Sequence, residues 1–151
     1  MGKFLDKSIQ HELNQLILRK EAMIESYGRM IGDVEDSRLK ELLKSNQENH
    51  FKQMMMISDR VYDITGVPKF VTGVRGAMDN MRDHMERRDG GTDIENARIA
   101  LKGELADSEK LSAYGNSDMD WISLEVVQES AHIDQENIRA LEEYIGRPEI
   151  Q

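Results

Sequence analysis

Between residues 8 and 33, apolar side chains recur at Ile9, Leu13, Leu16, Ile17, Ile24 and Ile31 with polar residues between them. This is the 3.6-residue rhythm of an amphipathic helix. The rhythm breaks at Gly32-Asp33-Val34-Glu35-Asp36, where a glycine can close one helix and Asp36 can cap the next. A second helix is predicted from about Ser37 to Thr65, with Leu39, Leu42, Leu43, Ile57, Val61 and Ile64 along its seam. It stops at Gly66-Val67-Pro68, since proline cannot continue a helix. From Lys69 to Gly91, Val74, Met78, Met81 and Met85 recur at three and four residues, which predicts one short helix inside a long connection. Thr92-Asp93-Ile94-Glu95 has the spacing of a capping box and opens a third helix that carries Ile94, Ala97, Leu101 and Leu111 as far as Tyr114. Ser117 is the predicted cap of a fourth helix, which lasts until Gly146-Arg147-Pro148. No segment alternates as a strand does.

Four long helices joined by a short, a long and a short connection predict two antiparallel hairpins linked by a crossover. They form one all-α domain over residues 1–151, a length suited to a single core. The chain has no cysteine, which removes disulfide scaffolds, thiol catalysis and thiolate metal sites and fits a reducing, cytoplasmic compartment. No run approaches the roughly 18 apolar residues of a membrane span, and the start, Met1-Gly2-Lys3-Phe4-Leu5-Asp6, meets charge too early for a secretory signal. A net charge of −9, with basic residues alternating with acidic ones, argues against a nucleic-acid partner.

Charge changes the picture most where it falls on the predicted seams. Glu21 lies four residues after Ile17 and three before Ile24. His50 lies seven after Leu43 and seven before Ile57, with Gln47 one turn earlier, and Glu104 lies seven after Ala97 and seven before Leu111. The fourth helix offers Glu129-Ser130-Ala131-His132, an i, i+3 carboxylate–imidazole pair whose side chains can reach one metal from one face. Glu21 and Gln47 stand about 13 residues either side of the first turn, and Glu104 and Glu129 stand 12 and 13 residues either side of Asn116, so both hairpins bring these groups to one height. Glu-to-His separations of 29 and 28 residues make the two hairpins a pseudo-repeat. Carboxylate and imidazole together suit iron, manganese or zinc. Left unpaired in a core, such groups cost several kcal/mol each, so either a metal or a metal-free polar network has to satisfy them.

At these residues the sequence resembles the ferritin-like superfamily, which includes bacterioferritins, rubrerythrins and short-loop bacterial families. Glu129-Ser130-Ala131-His132-Ile133-Asp134 is similar to the fourth-helix motif of bacterioferritins, and the spacing Glu21, Tyr27, Asp36, Leu39, Leu42, His50 is similar to the short-loop families. The resemblance implies a ferritin-like antiparallel four-helix bundle. It also implies a metal site with Glu21 and Glu104 as terminal ligands, His50 as an imidazole ligand, and Glu129 with His132 as the bridging pair. Iron or manganese, ahead of zinc, with oxidative or peroxide-handling chemistry would follow. Gln47 stands where a second bridging glutamate is expected, and a neutral amide is a poor bridge between two cations. The alternative is therefore a metal-free bundle serving as a structural or interaction protein of stress or spore-coat type. Tyr27 and Tyr114 are expected to pack at the turns. Phe70, Val71, Val74, Met78, Met81 and Met85 give the crossover more apolar surface than one short helix hides. This predicts a homodimer and a partner surface there.

Overall fold

Among the described residues, four helices carry the fold: α1 (Gly2–Asp33), α2 (Ser37–Asp63), α3 (Asp93–Gly115) and α4 (Trp121–Ile145). They come from a computed structural model that describes residues 2–64, 91–115 and 119–147. The first helix starts upstream of its first periodic apolar residue: no proline interrupts the chain there, and extending a formed helix costs little. Asp36 caps α2 as its type and position predict: its backbone is extended (φ −66°, ψ 121°) and its Oδ1 accepts the Arg38 N–H at 3.1 Å. Thr92 caps α3, accepting the Glu95 N–H at 3.2 Å. The cap of α4 is Asp120, which accepts the Ser123 N–H at 3.1 Å; Ser117, the predicted cap, lies outside the described residues. At the far end the Gly146 N–H closes α4 on the Glu142 carbonyl at 2.9 Å.

The helices form a ring in which α1 packs on α2, α2 on α4, α4 on α3 and α3 on α1. At one end of the bundle the Gln10 side chain donates to the Ile64 carbonyl (2.9 Å), and Arg60 joins α2 to the α4 cap Asp120 (2.7 Å). At the other end, the two carboxylate oxygens of Asp93 accept the backbone N–H groups of Glu35 (3.0 Å) and Asp36 (2.7 Å), and the Tyr144 hydroxyl donates to Asp36 (2.7 Å). Thus α2 finishes at one end and α3 begins at the other. The connection is a crossover, and every neighbouring pair in the ring is antiparallel. The predicted short helix within it and its residues Phe70, Val71, Val74, Met78, Met81 and Met85 lie outside the described residues. Among the described residues there is no strand, and no helix is long and apolar enough to cross a membrane.

The interior is layered. Near the Asp93 end, Met23, Met30, Leu39, Leu43 and Leu141 form one apolar cluster; towards the Ile64 end, Leu13, Leu16, Ile57, Val61 and Leu111 form another. Each such side chain contributes about 1.5–3 kcal/mol by leaving water. Between the clusters all four inward stripes turn polar at one height. Lys20 stands between Ile17 and Met23, and Asn46, His50 and Gln53 between Leu43 and Ile57. Glu104 and Asp107 stand between Ala100 and Leu111, and Ser130, Asp134 and Asn137 between Val127 and Leu141. Every one of these polar residues is buried.

Candidate metal centre

Lys20 falls at three- and four-residue intervals in the stripe Leu13, Leu16, Lys20, Met23, Tyr27, so its Cβ points into the bundle. Its ammonium donates to Asp107 Oδ2 at 2.5 Å and to Asp134 Oδ1 at 3.0 Å, with all three side chains fully buried. Asp107 Oδ1 accepts from Arg19 Nε at 3.0 Å. Burial opposes the ammonium charge, but Asp107 and then Asp134 more than offset it and hold the Lys20 pKa above its ordinary value. Burial likewise opposes the charge on Asp107, yet Lys20 and then His50 hold its carboxyl well below the usual carboxylate range. Asp134 goes the other way: burial, opposed by Lys20 and reinforced by Asp107, pushes its carboxyl up to about 7.

Beside this group, Glu104 Oε2 faces His50 Nε2 at 2.7 Å and accepts from the Tyr27 hydroxyl and from Asn137 Nδ2 (3.3 Å). The Tyr27 hydroxyl in turn accepts from Asn46 Nδ2 at 3.2 Å, and its ring lies 5.7 Å from the His50 ring, centroid to centroid. Tyr27 therefore does not simply pack at the turn as expected. Its hydroxyl stands in the polar layer, where burial and the Glu104 charge hold its pKa well above the ordinary value. Gln53 completes the layer, its amide donating to the Ser130 carbonyl (2.6 Å) and to Asp134 Oδ1 (2.7 Å).

Several buried polar atoms have no hydrogen-bond partner among the protein atoms: His50 Nδ1, Glu104 Oε1, Asp134 Oδ2, Gln53 Oε1 and Ser130 Oγ. An unsatisfied buried acceptor costs about 1–3 kcal/mol. One donor atom from each of His50, Glu104, Asp107 and Asp134 lies within 4.8 Å of the others. That is close to the span of a coordination sphere, where ligand atoms about 2.1 Å from an ion lie up to about 4.2 Å apart. Metal ligands bind deprotonated; in that state, with a neutral imidazole, the three carboxylates and the Lys20 ammonium carry two net negative charges, the complement of a divalent cation. The donors present therefore fit a metal site of carboxylate–histidine type.

Of the residues picked out by sequence, His50 and Glu104 meet in this cluster and four others do not join it. Glu21 follows Lys20 and so lies about 100° around the helix from it; it is half-buried, and burial raises its carboxyl to about 7. Gln47, in the expected bridging position, donates to the Ile24 carbonyl at 2.9 Å and ties α2 to α1. Glu129 and His132 are exposed, with His132 Nε2 3.8 Å from Glu136 on the same helix. The reason is the phase of α4, which turns Val127, Ser130, Asp134, Asn137 and Leu141 inward and leaves Glu129 and His132 on its outer side. Lys20, Asp107 and Asp134 were not anticipated. The three-and-four spacing that marks Lys20 and Asp134 as inward-facing was the available signal.

No family model matches the chain, and no curated protein matches it in sequence. A solved structure does match in shape: a dodecameric thioferritin, the bacterioferritin-related protein from Bacteroides fragilis. It superposes with a TM-score of 0.79 over 93% of this chain and 85% of that one, at 14% sequence identity. The likeness is one of fold, and the bundle is ferritin-like.

Proposed function

We propose that this chain is a metal-binding protein that holds a divalent cation of the iron or manganese type in the polar layer, through donor atoms among His50, Glu104, Asp107 and Asp134. The observation that carries the reading is the set of buried atoms without partners, Glu104 Oε1, Asp134 Oδ2 and His50 Nδ1, on residues whose donor atoms cluster within 4.8 Å. Bound there, a redox-active ion would supply oxidative or peroxide-handling chemistry. The protein's own part is to fix the ligands and exclude water. Tyr27 and Asn137 orient Glu104 by donating to Oε2, Gln53 and Lys20 hold Asp134 Oδ1, and an apolar cluster closes the layer on each side. The similar solved structure is described as dodecameric, which supports self-association here, with a homodimer as the smallest unit; a monomeric mass by light scattering at micromolar concentration would exclude it.

A second reading is favoured by Lys20. A buried ammonium bridging Asp107 and Asp134 already satisfies part of the layer without metal, as expected of a structural or interaction protein. Elemental analysis and thermal melts separate the two. If the layer binds metal, adding Mn²⁺ to chelator-treated protein stabilises it, by about 2.7 kcal/mol at a hundredfold excess over Kd, and a His50→Gln, Glu104→Gln double variant shows no such gain. Superimposable melts of the parent with and without Mn²⁺ or Fe²⁺, and no metal in the purified protein, would establish the metal-free reading.

A further inference from the structure

The polar layer divides into two parts. Asp107 is fully engaged, Oδ1 by Arg19 and Oδ2 by Lys20. Asp134 is split between the parts: its Oδ1 accepts from Lys20 and Gln53, while its Oδ2 has no hydrogen-bond partner. The remaining unpartnered donor atoms, Glu104 Oε1 and His50 Nδ1, belong to residues that form no hydrogen bond or ion pair with the ammonium, and both side chains are fully buried. Charge divides the same way. The Lys20 ammonium and the Asp107 carboxylate form a neutral pair, with Arg19 reaching Asp107 from the partly exposed edge, whereas Glu104 and Asp134, deprotonated as ligands must be and beside a neutral imidazole, carry two negative charges, which one divalent ion balances.

We propose that Lys20 is a built-in cation of the layer with Asp107 as its counter-ion, so that the ligands of a divalent ion are His50, Glu104 and Asp134 and the layer takes one such ion per chain. An ammonium has three N–H donors and no acceptor, so it cannot ligate an ion while it remains protonated. It also repels a second ion from the Asp107 side of the layer. Lys20 is thus a specificity-determining residue: it sets how many ions the bundle holds rather than touching the ion it admits. The assignment rests on the metal-binding reading above and narrows it, moving Asp107 from the ligand set to the partner of Lys20.

Counting Mn²⁺ by isothermal titration, with free Mn²⁺ read by electron paramagnetic resonance, tests it on chelator-treated full-length chain. The parent is expected to bind one ion. A Lys20→Met, Asp107→Asn double variant removes the neutral pair as a unit and is expected still to bind one ion, with Kd weakened because Asp134 Oδ1 loses the ammonium that helps to hold it. Lys20→Glu replaces the ammonium by a further carboxylate and is expected to bind two. Two ions in the parent, no bound ion in a folded double variant, or one ion in a folded Lys20→Glu variant would each overturn the assignment while leaving a metal site in the layer of the parent. No binding by the parent would overturn the metal site itself. Should Lys20→Glu fail to fold, the parent count and the double variant decide the matter.

Discussion

Replacing Lys20 by methionine keeps the apolar stem and removes the charge, so nearly all of its effect falls on the two carboxylates the ammonium joins. Asp107 would keep only Arg19, from the partly exposed edge, and Asp134 Oδ1 would keep only Gln53. Removing one partner of a buried ion pair costs about 3–5 kcal/mol. Chains of this size unfold in urea with a slope of about 2 kcal/mol per molar, so the metal-free Lys20→Met variant should unfold at roughly 1.5–2.5 M less urea than the parent. A Lys20→Met, Asp107→Leu variant, which exchanges the pair for apolar groups, should recover at least half of that loss, because a hydrophobic replacement of a buried pair is often neutral. The double-mutant cycle should therefore give a coupling above about 1.5 kcal/mol. Urea titrations followed by far-UV circular dichroism in chelator are sufficient. A shift below about 0.5 M for Lys20→Met, or singles that add without coupling, would refute the claim that the ammonium holds the layer together.

The half-buried Glu21 has its carboxyl raised from 4.5 to about 7, so the native state binds its proton more tightly than the unfolded chain does. The contribution is harmless below about pH 4.5 and becomes a penalty as pH rises through about 7; Glu21→Gln should be more stable than the parent near pH 8 and indistinguishable from it near pH 4. Equal urea midpoints for the two proteins near pH 8 would contradict this. Because Glu129 and His132 are exposed, replacing both by alanine should alter stability by no more than about 0.5 kcal/mol and leave bound metal unchanged by elemental analysis. Loss of metal from that variant would return the site to the outer side of α4.

The helices and their order were legible because each reads off a local period of apolar residues, with caps at Asp36 and Thr92 to mark two of the starts, and the crossover was legible because the middle connection is the long one. His50 and Glu104 were legible for the same reason: each is seven residues from an apolar neighbour on either side, which leaves little doubt about its phase. At Glu21 the phase was ambiguous. Ile17 and Ile24 bracket it, but Leu13, Leu16, Met23 and Tyr27 bracket Lys20 more tightly, and one residue turns the side chain by about 100°. A lysine in an inward stripe is easily read as a long side chain reaching back to solvent, and its burial depends on Asp107 and Asp134, which come 87 and 114 residues later. On the fourth helix the Glu129–His132 pair drew attention by composition, while the three-and-four spacing of Val127, Ser130, Asp134 and Asn137 carried the phase.

Loops are where a chain ordinarily accepts insertion and drift. The turn between α1 and α2 is an exception, because its two backbone N–H groups are held by one carboxylate arriving from the start of α3. Asparagine at position 93 would offer a single acceptor oxygen, and glutamate would overshoot by a methylene. One residue added after Val34 would pull Glu35 or Asp36 off its partner and shift the side chain that receives the Tyr144 hydroxyl. Two half-exposed acids, Asp36 and Asp93, are therefore as narrowly specified as the packed interior, and lineages of this fold that keep Asp93 should keep the length of that turn.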